Sequence, residues 1–256
     1  MSTPILQVDN LQLSLGGNKI LTGISFDIKP GEHVGIIGTN GCGKTTLFNC
    51  ISGFFIPDSG KINYQNEDIT ELAPHVRARK GIGRIFQNFG IFRELTVIEN
   101  MILALENSPG AKLSWNGNKK ALTQRALELL SKVKLETKAK ELASSLSGGQ
   151  MRLLEISRTL ALGSDLILLD EPTAGVAPKM KQDVMAMLNE LAALDKTIMI
   201  IEHDLSFIQK LCPRILVLDT GKVVMDGSPE SVRSDPRLQE IYFGTDHKNV
   251  TTTEAA

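Results

Sequence analysis

Gly38-Thr39-Asn40-Gly41-Cys42-Gly43-Lys44-Thr45 sets glycines, a lysine and a threonine hydroxyl at the spacing GxxxxGK[ST]. That spacing suits the phosphates of a nucleotide. The glycines let backbone N–H groups converge on phosphate oxygens, Lys44 reaches the outer phosphates, and the Thr45 hydroxyl can ligate Mg²⁺. Thr46, next in line, completes the nucleotide-binding set. An ordinary glycine turn is the competing reading, but it leaves Lys44 and Thr45 coincidental. Cys42 reads as a small loop residue, with a redox-sensitive thiol as the lesser alternative.

Leu166-Ile-Leu-Leu-Asp170-Glu171 is an apolar run ending in paired carboxylates. Such a pair can place one acid near Mg²⁺ and another beside an attacking water. Asp170 is assigned to the metal and Glu171 to the base that polarises the water; a strand surfacing into a solvated acidic turn is the alternative. His203, in Glu202-His203-Asp204 after the apolar run Thr197 to Ile201, sits where strand ends of an open α/β sheet gather at a ligand crevice. Its expected role is a hydrogen bond to the γ-phosphate. Gln87, after the run Gly81 to Phe86, offers an amide to the Mg²⁺ shell or to the nucleotide. Leu146-Ser147-Gly148-Gly149-Gln150 precedes a helical pattern and supplies either a plain N-cap or a second anion-binding helix end.

These residues need rigid elements behind them. Ile5 to Ser14 and Ile24 to Ile28 alternate apolar and polar residues about a Gly16-Gly17 turn, predicting an antiparallel start. Val34 to Ile37, the glycine loop and Lys44 to Ser52 predict strand, loop and helix. Lys61 to Tyr64, Gly81 to Phe86, Leu166 to Leu169, Thr197 to Ile201 and Ile215 to Leu218 predict further strands, with helices over Pro178 to Leu194 and Leu205 to Leu211. The expected fold is α/β: a phosphate-loop core with a mainly parallel sheet, helices on both faces and an antiparallel β part. Val97 to Glu106, Lys119 to Val133 and Gln150 to Leu162 have helical spacing with no strand between them. Residues 93–162 are therefore expected as a helical insert into a core of 1–92 and 163–244, with a loop over 107–118 and a flexible tail over 245–256.

Lys plus Arg at 28 against Asp plus Glu at 29 leaves a formal charge of -1, so no nucleic-acid partner is expected. Cys42, Cys50 and Cys212 are odd in number and scattered, which suggests a reducing compartment and neither disulfides nor a metal site. No apolar run approaches the roughly 18 residues of a membrane span, and the start lacks a secretory pattern. A cytosolic location is expected.

GTNGCGKT, the Gln87 loop, LSGGQ, LILLDEP and His203, in this order, resemble the ATP-binding-cassette (ABC) ATPases over Ile5 to Gly244. That resemblance implies head-to-tail pairing with a second cassette, identical or different, in which Ser147, Gly148, Gly149 and Gln150 contact the partner's ATP. Gly81-Ile-Gly-Arg-Ile-Phe-Gln87, Ile91 to Asn100, Glu171-Pro-Thr-Ala-Gly175 and Gln239 to Gly244 resemble cassettes of branched-chain amino-acid and urea importers, and less closely the lipopolysaccharide-export cassette. The resemblance implies integral membrane permease subunits, docked around Gln87 to Arg93, an external solute-binding protein, and a place on the cytoplasmic face of the inner membrane. A soluble cassette that remodels a protein or nucleic-acid assembly is the rival, but it calls for paired cassettes in one chain or a long basic insertion. A module that senses nucleotide without hydrolysing it is a third reading, opposed by Lys44, Asp170, Glu171 and His203. Three positions depart from the family pattern. Leu15 stands where adenine usually stacks on an aromatic, an interaction of ~1 to 3 kcal/mol per base in nucleic-acid systems. Ala177 replaces a polar residue of the shared interface, and Gly148 stands where the amino-acid subgroup frequently has a bulky residue.

Overall fold

Strands apolar at every position must be covered on both faces, and period-2 alternation decides which residue enters which layer. The computed structural model describes residues 3–87, 90–108 and 118–243. β1 (Leu6–Leu15) and β2 (Asn18–Ile28) form a hairpin whose turn residues Gly16 and Gly17 take φ of 58° and 84°, as a tight primed turn requires. β3 (His33–Gly38) enters the glycine loop, and α1 (Lys44–Ser52) leaves it. β4 (Ser59–Tyr64), β5 (Glu67–Asp68), α2 (Pro74–Arg79) and β6 (Ile82–Ile85) follow.

Between β6 and the next strand, the described residues hold α3 (Val97–Glu106), α4 (Lys119–Lys132) and α5 (Gly148–Ala161), with no strand. The chain then runs through β7 (Leu166–Asp170), α6 (Pro178–Ala193), β8 (Thr197–Ile201), α7 (Leu205–Leu211), β9 (Arg214–Asp219), β10 (Lys222–Gly227), α8 (Pro229–Ser234) and α9 (Pro236–Phe243). Of the expected loop over 107–118, residues 109–117 lie outside the described residues, as does the expected tail over 245–256.

The larger sheet has the order β10-β9-β3-β8-β7-β6, parallel throughout except for β10. Ile167, Leu169, Ile198, Ile200, Ile215 and Val217 point into one apolar layer, which is continuous with Met101 of α3, Leu130 of α4, Leu154 of α5 and Ile208 of α7. Leu166, Leu168, Met199, Ile201, Leu216 and Leu218 point into the other, formed by α1 and by the antiparallel sheet β2-β1-β4-β5. Helices on both faces and an antiparallel part are thus present as the alternation predicts. The short elements β5 and α2, and the strand β10, were not expected: α2 has one turn and a half, and β10 follows β9 across Thr220-Gly221 with only Met225 of its residues buried.

Arg77 of α2 anchors the far end of α1. Its side chain is fully buried and donates to the carbonyls of Cys50 (2.6 Å), Ile51 (3.0 Å), Thr70 (2.7 Å) and Leu72 (2.7 Å). Two of these close the last turn of α1, where the helix dipole is negative and carbonyls lack intrahelical donors. Burial pushes the guanidinium below its ordinary range, opposed by its surroundings, and the carbonyls take the place of water around it. Arg77→Ala should lower unfolding stability by about 3 kcal/mol in urea denaturation, since buried carbonyls lose a charged donor.

Candidate active site

β3, β8, β7 and β6 lie side by side, and each delivers its chemistry-bearing residues at its C-terminal end. Gly38 ends β3 because nothing larger fits: a Cβ there would lie 2.1 Å from the Leu218 carbonyl oxygen and 2.7 Å from Cys42 Sγ. Gly43, with φ of 106°, turns the chain into α1. The start of α1 has no side-chain cap and no acidic residue in its first turn, so its unpaired N–H groups remain for an anion. Lys44 is buried and folds back over the loop, its Nζ donating to the Gly38 and Thr39 carbonyls at 2.8 Å each. Thr39, Asn40, Gly41 and Cys42 lie in the loop between β3 and α1, and Thr45 and Thr46 in the first turn of α1. Burial raises the Cys42 thiol, against the pull of Lys44, which leaves it a poor thiolate.

Asp170 ends β7 and is buried. Thr45 Oγ1 approaches its Oδ1 at 3.4 Å, and Arg84 of β6 donates to its Oδ2 at 3.1 Å. Burial raises the Asp170 carboxyl, with Arg84 opposing. This donor set fits Mg²⁺ in company only. No group of three or more His, Cys, Asp or Glu able to hold a metal occurs among the described residues, so phosphate oxygens and water would complete the octahedron around Asp170 and Thr45.

Glu171 follows in a left-handed conformation, φ 48°, unusual for a side chain of its size. The turn is held by its N–H to the Ile201 carbonyl (3.0 Å) and by its own carbonyl, which accepts from the Ala174 N–H (3.1 Å). The carboxylate therefore projects forward between two neighbours: His203 Nε2 lies 2.9 Å from Oε1, and Gln87 Nε2 donates to Oε2 at 3.0 Å. Glu171, His203 and Gln87, expected from separate motifs, thus meet at one carboxylate. Glu202, beside His203, is buried and accepts the Thr173 N–H at 2.8 Å, tying the loop after Glu171 to β8.

Ser147 caps α5 reciprocally with Gln150: its Oγ accepts the Gln150 N–H (3.4 Å), and its N–H donates to Gln150 Oε1 (3.0 Å). Ser147 and Gly148 are exposed, whereas Gly149 is buried, its Cα so close to Met180 that a Cβ would lie 2.7 Å from it. Leu15 and Ala177 are both exposed, Leu15 at the tip of the β1-β2 hairpin.

Sequence reasoning missed the basic residues behind the site. Arg152 of α5, fully buried, donates to the Phe86 carbonyl (2.7 Å), the Gln87 carbonyl (3.0 Å) and Glu155 Oε2 (2.6 Å). Glu155 Oε1 accepts the Gly90 N–H (2.9 Å), and Arg158 donates to the Gly90 carbonyl and lies 4.8 Å over the Phe92 ring. Burial opposes charge on both partners, lowering Arg152 and raising Glu155, and their mutual attraction offsets it. The available signal was the spacing i, i+3, i+6 of charged residues on a helix that is buried along most of its length. For Arg84 it was a lone cation within an otherwise apolar strand.

A phosphate-cradling loop, a strand-end carboxylate pair and a helical insert define a phosphate-loop nucleotide hydrolase. The chain belongs to the ABC transporter family, whose pattern it matches over residues 21–174, and it is an ATP hydrolase of that family. It is 34% identical over 253 residues, 95% of this chain and 99% of the relative, to the high-affinity branched-chain amino acid transport ATP-binding protein BraF of Pseudomonas aeruginosa. An ATP-binding cassette of an ABC transporter solved in its ADP conformation superposes with a TM-score of 0.82 at 34% identity, covering 95% of this chain and 100% of that one. A dimeric cassette in a post-hydrolysis state with ADP and Pi superposes with a TM-score of 0.75 at 29% identity, over 88% and 98% of the two chains.

Arg152→Met strands a buried carboxylate, so it should cost roughly 3–5 kcal/mol of stability in urea denaturation. Adding Glu155→Leu should restore most of that stability but not the rate of ATP hydrolysis, because the carbonyls of Phe86 and Gln87 stay unheld.

Proposed function

We propose that this chain is the ATPase subunit of an importer for branched-chain amino acids or a related small polar solute such as urea, working at the cytoplasmic face of the inner membrane with permease subunits and an external solute-binding protein. The substrate class rests on the likeness to BraF along almost the whole of both chains. The hydrolytic role rests on one geometric fact: Glu171 is held between His203 and Gln87 at 2.9 and 3.0 Å, beside the strand end that carries Asp170.

In this reading the glycine loop and the open N-terminus of α1 bind the phosphates, and Lys44 exchanges its two carbonyl partners for the outer phosphates. Asp170 and Thr45, with Gln87 in reach, would hold Mg²⁺, which supplies charge neutralisation between phosphate groups. Glu171 takes up the proton of the attacking water. His203, whose Nε2 faces that carboxylate, turns its N–H to the γ-phosphate once ATP is bound. Ser147, Gly148, Gly149 and Gln150 reach the ATP of a second cassette, the capping box opening as phosphate replaces it. Leu15 gives adenine apolar contact only, and Ala177 leaves a polar contact of the shared interface unmade, which favours a different chain as partner. Residues 93–162 form the moving subdomain, because α5 carries both the contact to the partner's nucleotide and the grip on the Gln87 backbone. A nucleotide-driven change in α5 is then a two-state element that a permease seated around Gln87 to Arg93 can follow.

In the assembled transporter, Glu171→Gln should bind ATP and lose hydrolysis by about 10³-fold, the range of general-base effects. Lys44→Ala should lose ATP binding itself. Wild-type hydrolysis by Glu171→Gln would remove Glu171 from the role of base. Co-purification that recovers no membrane protein, or uptake that excess leucine, isoleucine, valine or urea leaves unchanged, would overturn the importer reading.

A further inference from the structure

Asp170 has two oxygens with different neighbours. Oδ1 faces the Thr45 hydroxyl at 3.4 Å, while Oδ2 accepts from Arg84 at 3.1 Å in a pair whose side chains are each 5% exposed. Arg84 is fixed from several sides. It also donates to Asn49 Oδ1 (2.7 Å) and Ser52 Oγ (2.8 Å) of α1, and its guanidinium carbon lies 4.8, 5.8 and 6.0 Å from the ring centres of Phe86, Phe48 and Phe54. Only the planar fork of arginine satisfies an acid on one strand and two acceptors on a helix together.

We propose that Arg84 is the resident counter-ion of Asp170 and sets the order of metal loading: it keeps Oδ2 occupied, leaves Oδ1 alone to a divalent cation, and so admits metal only with the nucleotide's phosphates. The proposal rests on the reading of Asp170 and Thr45 as metal partners. Its physical basis is twofold. One carboxylate oxygen and one hydroxyl, even with the Gln87 amide beside them, are too few protein ligands for a cation that demands six oxygens. A fixed guanidinium on the same carboxylate also repels a bare divalent ion through a low-dielectric medium, and the polyphosphate charge reverses that balance. Arg84 touches no reacting atom, so it is a positioning residue.

The test is Mn²⁺ binding to the purified full chain, read by electron paramagnetic resonance with and without a non-hydrolysable ATP analogue. The wild type should bind Mn²⁺ only with the analogue. Arg84→Met should lower Tm by roughly 10 °C and gain a nucleotide-independent Mn²⁺ site at least about tenfold tighter than any in the wild type. Mg²⁺ alone should then raise its Tm. Arg84→Met/Asp170→Asn should lose that site and recover the stability. Should Arg84→Met fail to fold, Arg84→Lys, which keeps the charge, should bind no Mn²⁺ without the analogue. The proposal is overturned if Arg84→Met gains no nucleotide-independent site, if Arg84→Lys or the wild type has one of equal affinity, or if the double variant stays unstable. Asp170→Asn alone with unchanged Mn²⁺ binding beside the analogue would instead overturn the metal role beneath it.

Discussion

Burial of the larger sheet on both faces is the constraint from which the site follows. Ile167 and Leu169 enter one apolar layer, Leu166 and Leu168 the other, and a charge along either face would be stranded without water. Apart from Arg84 of β6, which is paired with Asp170, polar chemistry is therefore placed at strand ends. Because β3, β8, β7 and β6 are parallel neighbours, their C-terminal ends come together and bring Gly38, Glu202, His203, Asp170, Glu171 and Gln87 to one edge. The crevice outside the carboxyl ends of such a sheet is where ligands bind in open α/β folds generally. Here it also explains why residues more than a hundred positions apart share one carboxylate.

Glu171 sits at the most demanding point of that edge. A non-glycine residue in the left-handed region costs about 1–2 kcal/mol, and the strain persists because the surroundings over-determine it: the N–H bond to Ile201, the turn closed by Ala174 and the two contacts of its side chain. The turn sends the Asp170 and Glu171 side chains different ways. Asp170 points inward to Thr45 and Arg84, Glu171 outward to His203 and Gln87. Adjacent carboxylates are thereby separated into a buried, cation-paired one and an accessible one, which is how environments divide roles between like groups.

Much of this was legible in the sequence because strand and helix periods are local. α1, α3, α7 and β8 span the residues that periodicity predicts, and Asp170, Glu171 and His203 lie at or just beyond the strand ends foreseen for them. α5 begins at Gly148 rather than Gln150, since two glycines read as loop although the Ser147 capping box carries the helix across them. β10 and α2 escaped because they owe their place to partners far off in sequence: β10 to the edge of β9, and α2 to the grip of Arg77 on α1. Which motifs would touch was hidden for the same reason. Strand order β8-β7-β6, and with it the meeting of His203, Glu171 and Gln87, is a tertiary fact that spacing does not encode.

Three carboxylates, Asp170, Glu171 and Glu202, crowd the strand ends before any polyphosphate arrives. Counter-charge must come from positions that phosphate does not need. Arg84 approaches from β6 and α1, and Arg152 from α5, where it also feels the charges of Glu202 and Asp170. Lys44 differs, bound only to exchangeable partners, the carbonyls of its own loop and the soft Cys42 sulfur. The division is between cations locked on protein carboxylates and one cation free to change partners. A locked cation holds the geometry of the site, whereas a lysine on carbonyls gives up little when phosphate replaces them. Arg152 adds a further consequence. Its donors end on the backbone of Phe86 and Gln87, so α5 is tied by hydrogen bonds to the segment whose Gln87 amide reaches Glu171.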